Sequence, residues 1–107
     1  MTGEVPDLPA GAFVIDPVFG RVVVVPDRLL RKVRRKHGAY FAPLRRDLLD
    51  VVRHPDVTGE DPRGRHRHRY ARRGLGPTTW LFVVVEYDYR GLGTVVTAFP
   101  KRRLPGH

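Results

Sequence analysis

Between Arg63 and Arg73 the chain reads RGRHRHRYARR: six arginines, two histidines and one tyrosine in eleven residues. Guanidinium groups grip phosphates as planar forks. Imidazole exchanges protons near neutral pH. A phenol stacks on a base or donates a hydrogen bond. Together these side chains suit a protein that holds RNA and cuts it. A solvated basic loop would carry the same charge without any chemistry. Two further residues extend the set: His37, which follows a basic run, and Thr97, between Val95 and Phe99.

The rest of the composition narrows the partner. The chain has 107 residues, a size for one domain, with net charge +9. Such a field steers polyanions, and nucleic acid is the first polyanion to consider. No basic stretch carries the broad apolar face with aromatic anchors that a membrane surface requires. No apolar run approaches the roughly 20 residues of a membrane helix. There is no cysteine, so disulfides, thiol catalysis and cysteine-bound zinc are excluded. The opening MTGEVPDLPAG is acidic and proline-rich, unlike a signal peptide. The expected location is the cytoplasm, either of the producing cell or of a target cell into which the protein is delivered.

The elements that must position these residues follow from periodicity. Residues 1–11 read as a flexible arm, and 12–107 as a single domain. Ala12 to Ile15 and Arg21 to Val25 are β-branched runs around DPVFG, a strand pair. Asp27 is placed to cap a helix whose apolar side is Leu29, Leu30, Val33 and His37, with Gly38 as its stop. A second helix is expected from Ala42 to His54, with Pro43 in its first turn and Phe41, Leu44, Leu48, Val51 and Val52 inward. Asp56 to Gly64 reads as a loop. Arg65 to Ala71 reads as a strand with His66, His68 and Tyr70 on one face and Arg65, Arg67 and Arg69 on the other. Thr78 to Tyr87 is apolar on both faces, a central strand, and Thr94 to Phe99 is the next. The expected fold is α+β: two N-terminal helices packed on one face of a twisted antiparallel β-sheet of about four strands.

Three segments, KHGAYF (Lys36 to Phe41), RHRHRYARRG (Arg65 to Gly74) and VVTAFPKR (Val95 to Arg102), resemble in order and spacing the small ribonucleases of the barnase–EndoU–colicin–RelE superfamily. The phage-associated and toxin-like members are the nearest subgroup. The resemblance spans residues 21 to 102 and rests on the ordered set: His37, the helix closing at Pro55–Asp56, Arg69–Tyr70, the run from Trp80, and Thr97. It implies a metal-independent endoribonuclease toxin without cofactors. In that reaction the ribose 2′-hydroxyl attacks the adjacent phosphate, leaving a 2′,3′-cyclic phosphate and a 5′-hydroxyl. A base, an acid and cations that stabilise the transition state are needed.

His37 is the first candidate for general acid or base, with a silent residue at a helix end as its plain alternative. His54 is its rival. Tyr70 would orient or protonate a phosphate, Arg69 would clamp the scissile phosphate, and the Thr97 hydroxyl would bond it. Arg35, Lys36, Tyr40, Arg65, Arg67, His68, Arg72, Arg73, Lys101 and Arg102 are the expected RNA contacts. His66 and His68, with His54, have the spacing of metal ligands, but the arginines around them disfavour a cation. Glu86 pairs with an arginine of the basic strand, or serves as the base. Trp80 reads as core. The substrate would be tRNA, mRNA or rRNA, and an acidic antitoxin or immunity protein would restrain the enzyme. Two alternatives share the charge: a non-catalytic RNA- or DNA-binding module, and a small protein that docks an acidic partner.

Overall fold

The computed structural model describes residues 11–37, 45–74 and 80–102. Six strands and two helices form within them. β1 (Gly11–Ile15) and β2 (Val22–Pro26) pair as an antiparallel hairpin, Phe13 opposite Val24. α1 (Asp27–His37) follows directly and buries Leu29 and Val33 while its arginines and lysines face outward. α2 (Arg45–Arg53) buries Leu48, Val51 and Val52. The expected starts of α2 at Ala42 and of its apolar stripe at Phe41 and Leu44 lie outside the described residues, as does Gly38. Asp27 is the first helical residue and forms an ion pair with Arg45, linking the two helices.

β3 (Val57–Glu60), β4 (Arg67–Arg73), β5 (Trp80–Tyr87) and β6 (Gly93–Lys101) complete one sheet in the order β1-β2-β6-β5-β4-β3. The architecture is α+β, but the sheet has six strands rather than about four and is mixed rather than antiparallel, since β2 runs parallel to β6. Two causes account for the correction. β2 is buried on both faces, at Val23, Val24 and Val25, as an inner strand is, and it lies between β1 and β6. The segment read as a loop contains β3, whose residues pair antiparallel with β4 from Val57↔Ala71 to Glu60↔His68. Ladder pairing outweighs the poor strand propensity of its glycine and acid.

The core lies between the helices and one face of the sheet. Val23, Val25, Tyr70, Leu81, Val83, Val85 and Val95 meet Leu29, Val33, Leu48, Val51 and Val52 there. α2 packs against both β1 and β4, which have three strands between them in the sheet. Gly93 is a point of close approach, where an added Cβ would lie 2.8 Å from atoms of Tyr87 and Val85. On β6 the pairs Val85↔Val95 and Val84↔Thr97 leave Val96 as the extra residue of a bulge, and its carbonyl accepts from the Lys32 ammonium at 3.2 Å. Among the described residues, no helix is long and apolar enough to cross a membrane.

Candidate nucleic-acid interface

Three turns meet at one end of the sheet, and an aspartate organises each. In the β1–β2 turn, the buried Asp16 carboxylate accepts from the backbone N–H of Val18, Phe19 and Arg21 at 2.9, 2.6 and 3.2 Å. In the β3–β4 loop, buried Asp61 accepts from the Arg63 N–H at 3.3 Å and binds the Arg69 guanidinium at 3.2 Å. In the β5–β6 turn, Asp88 accepts from the N–H groups of Arg90 and Leu92 at 2.9 and 3.0 Å. Aspartate suits these places because its short carboxylate bonds its own backbone two or more residues on. Each turn carries arginines outward: Arg21, then Arg63 and Arg65, then Arg90.

Two clefts open between the turns. The larger, about 790 Å³, lies between the β1–β2 turn and the β3–β4 loop, and Phe19, Arg21, Arg63, Arg65, His66 and His68 are among its walls. The smaller, about 490 Å³, lies between the β3–β4 loop and the β5–β6 turn, and is lined by Arg65, His66, Glu86, Tyr87, Asp88, Tyr89 and Thr94. His66 faces both. Its backbone is left-handed, φ 63°, uncommon without glycine. Its carbonyl accepts from the Tyr87 N–H at 2.9 Å, which fixes the loop beside β5. Glu86 takes a hydrogen bond from Arg67 Nε at 3.0 Å across the strand pair. A carboxylate, an imidazole and the Arg65 guanidinium therefore line one opening, and the carboxylate is bonded to Arg67, a wall of the larger cleft.

Behind the clefts runs a buried chain of hydroxyls. Tyr87 donates to Asp16 Oδ2 at 3.1 Å. Its oxygen lies 2.6 Å from that of Tyr70, and since Tyr87 has only one proton to give, Tyr70 is the donor between them. Burial pushes both phenols well above their usual pKa, so both stay protonated. The His68 ring packs edge-on against Phe19 and Tyr70, with centroids 5.1 and 5.2 Å away. Its buried Nε2 has no hydrogen-bond partner among the described residues. Burial lowers its pKa, while Asp16 and Glu60 oppose the shift.

The face of the sheet away from the helices presents four cross-strand rows: Arg67–Glu86–Thr94, Arg69–Val84–Thr97, Ala71–Phe82–Phe99 and Arg73–Trp80–Lys101. Phe82 stacks on Phe99 at 5.3 Å. The Arg73 guanidinium lies 5.6 Å from the Trp80 ring and the Lys101 ammonium 5.8 Å from that of Phe99. Trp80, expected in the core, is half-buried on this face.

The described residues among those expected to be catalytic are divided between the two faces of the sheet. Tyr70 is fully buried on the helix side. Arg69 and Thr97 share a row on the opposite face, with Val84 between them, and Arg69 is engaged by Asp61. His37 closes α1, and its side chain lies outside the described part of the structure. Its rival His54 is exposed just beyond α2. Of the expected RNA contacts, Arg35 and Lys36 are exposed on α1, Arg65 is exposed at the clefts, and Arg67 is bonded to Glu86. His68 is half-buried, while Arg72 faces the helix side opposite Leu81. Arg73, Lys101 and Arg102 are exposed at the far end of the sheet, and Tyr40 lies outside the described residues. His66, read as part of the strand, precedes β4, which is why it joins Glu86 instead of alternating with His68. His54, His66 and His68 are not gathered as ligands; among the described residues no group of three or more histidines and acids could hold a metal ion. Sequence reasoning passed over Asp16, Tyr87 and Tyr89. The aspartates that open two of the turns, Asp16 and Asp88, were the available signal.

Comparisons with protein-family models, curated proteins and solved structures found no match to this chain.

Proposed function

We propose that this chain is a metal-independent endoribonuclease, with Glu86 as general base and His66 as general acid. The observation that carries the reading is the smaller cleft, in which Glu86, His66 and Arg65 line one opening and Arg67 reaches Glu86 at 3.0 Å. In the reaction, the Glu86 carboxylate takes the proton of the ribose 2′-hydroxyl. The freed oxygen attacks phosphorus, the bond to the 5′-oxygen breaks, and protonated His66 gives that oxygen its proton. Arg65 and Arg67 balance the charge on the phosphorane. The products are a 2′,3′-cyclic phosphate and a 5′-hydroxyl end. Base, acid and cations all come from side chains. The resemblance noted in the sequence implies the same reaction, but the groups proposed here replace His37, Arg69, Tyr70 and Thr97 at its centre.

The substrate is cellular RNA: tRNA, mRNA or rRNA. The site of action is the cytoplasm, and an acidic antitoxin or immunity protein complementary to the +9 charge restrains the enzyme. Incubating purified protein with total RNA in EDTA tests the reading, comparing wild type with Glu86→Gln and His66→Ala. Expected are cyclic-phosphate ends from wild type and a loss of cleavage of about a hundredfold or more in each variant.

A second reading, a non-catalytic RNA-binding module, is favoured by the exposed cations Arg28, Arg31, Lys32, Arg34, Arg35 and Lys36 of α1, none of which forms an ion pair among the described residues. It predicts intact RNA in that assay and binding that weakens steeply with salt.

A further inference from the structure

The β5–β6 turn carries an aromatic ring that the fold does not use. Tyr89 is 96% exposed, far more than any other large apolar or aromatic side chain among the described residues. Its backbone is nonetheless well fixed. Asp88 N–H donates to the Leu92 carbonyl at 3.0 Å, Gly91 N–H donates to the Asp88 carbonyl at 2.9 Å, and the Asp88 carboxylate holds two further N–H groups. Gly91, at φ 86°, supplies the left-handed position that closes the turn. Arg90 is fixed as well, because both Nε and Nη2 bond Asp88 Oδ2, at 3.2 and 3.0 Å. Its guanidinium carbon stands 5.8 Å from the Tyr89 ring centroid. The ring lines the same cleft as Glu86 and His66.

We propose that Tyr89 and Arg90 form a nucleobase clamp that stacks an unpaired base next to the phosphate held at Glu86 and His66, so that the cleft selects single-stranded RNA. The inference rests on the cleft being the RNA site, as in the proposed function. An aromatic face and a guanidinium plane are the two surfaces on which splayed-out bases stack. Bases inside a duplex are already stacked on each other and present only their edges, so they cannot reach the ring. A turn preorganised by hydrogen bonds loses little freedom when it takes up a base. Stacking tolerates any base, so the clamp selects for strandedness and not for sequence.

The test uses a short single-stranded oligodeoxynucleotide and its duplex as probes; neither has a 2′-hydroxyl, so neither can be cleaved. Binding is measured at fixed salt for wild type, Tyr89→Phe and Tyr89→Ala. An exposed turn residue tolerates these changes, and unchanged melting temperatures confirm the fold. Expected is a loss of about tenfold or more in single-strand affinity for Tyr89→Ala, near-wild-type binding for Tyr89→Phe, and duplex binding that is weaker and indifferent to both changes. Equal single-strand binding by all three proteins would overturn the clamp, as would an equal loss on the duplex. The readout is independent of cutting. If the ring effect appears while Glu86→Gln and His66→Ala leave RNA processing unchanged, the clamp stands and the nuclease reading falls.

Discussion

The Tyr70 hydroxyl donates a hydrogen bond of 2.6 Å to the hydroxyl of Tyr87, and Tyr87 passes the chain on to Asp16. The bond ties β4 to β5, and Asp16 brings in the β1–β2 turn, which is distant in strand order. Tyr70→Phe removes only the outermost donor and should cost about 1 kcal/mol. Tyr87→Phe leaves both the Tyr70 hydroxyl and Asp16 Oδ2 short of a partner and should cost about 3 kcal/mol. Thermal unfolding would rank the two. The same variants address catalysis: the Tyr70 phenol is buried and its proton is engaged by Tyr87, out of reach of a phosphate, so Tyr70→Phe should keep cleavage activity where Glu86→Gln loses it.

His68 makes stability depend on pH. Its folded pKa lies below the ordinary value of 6.5 because burial disfavours the charged ring. Below that value the unfolded chain binds a proton that the folded chain resists, so stability is full above it and falls as the pH drops through it. The loss continues until the pH passes the folded pKa. Melting temperature should therefore decline between pH 7 and 5, and the decline should shrink in His68→Gln. An equal decline in both proteins would remove His68 from the explanation.

Gly93 is a second pressure point. An added methyl would come within 2.8 Å of Tyr87 and Val85 and 2.9 Å of Val23, all in the core. Gly93→Ala must push β6 away from β2 or displace Tyr87. A cost of about 1 to 3 kcal/mol is expected from such overpacking, with weaker binding in the smaller cleft, since Tyr87 and Thr94 line it. Gly59, where an added Cβ meets nothing within 4 Å, is the control.

Much of this arrangement was legible in the chain. The apolar spacing of Leu29, Val33, Leu48 and Val52 pointed to both helices, and the two-sided apolar run to Tyr87 marked a central strand. Alternation correctly separated His68 and Tyr70 from Arg67 and Arg69. β3 escaped notice because Gly59 and Glu60, poor strand formers, cut short the signal of Val57 and Thr58, and the strand pairs only with β4. The parallel contact of β2 with β6 joins segments some seventy residues apart, and no local pattern encodes it. The partnership of Glu86 with His66 depends on one left-handed residue and one backbone bond to Tyr87. Neither is visible in residue types, so an alternating strand placed His66 with the wrong neighbours.

Two basic surfaces are candidates for the proposed RNA contact, and they lie on opposite sides of the sheet. The α1 cations are more concentrated, yet Glu86 lies on the other face, in line with Thr97, Phe99, Trp80 and Lys101. A strand threaded through the smaller cleft would continue along that face, where Arg73 and Lys101 sit over Trp80 and Phe99. Trp80 is the only tryptophan in the chain, so its fluorescence reports occupancy of this face alone. RNA should change that emission in proportion to binding. Arg73→Gln and Lys101→Gln should each reduce the slope of log affinity against log salt by about 1, whereas a combined Arg31, Arg34 and Arg35 to glutamine variant should leave the emission change intact. The reverse pattern, a silent Trp80 and a slope that responds to α1, would place the RNA on the helices and away from Glu86.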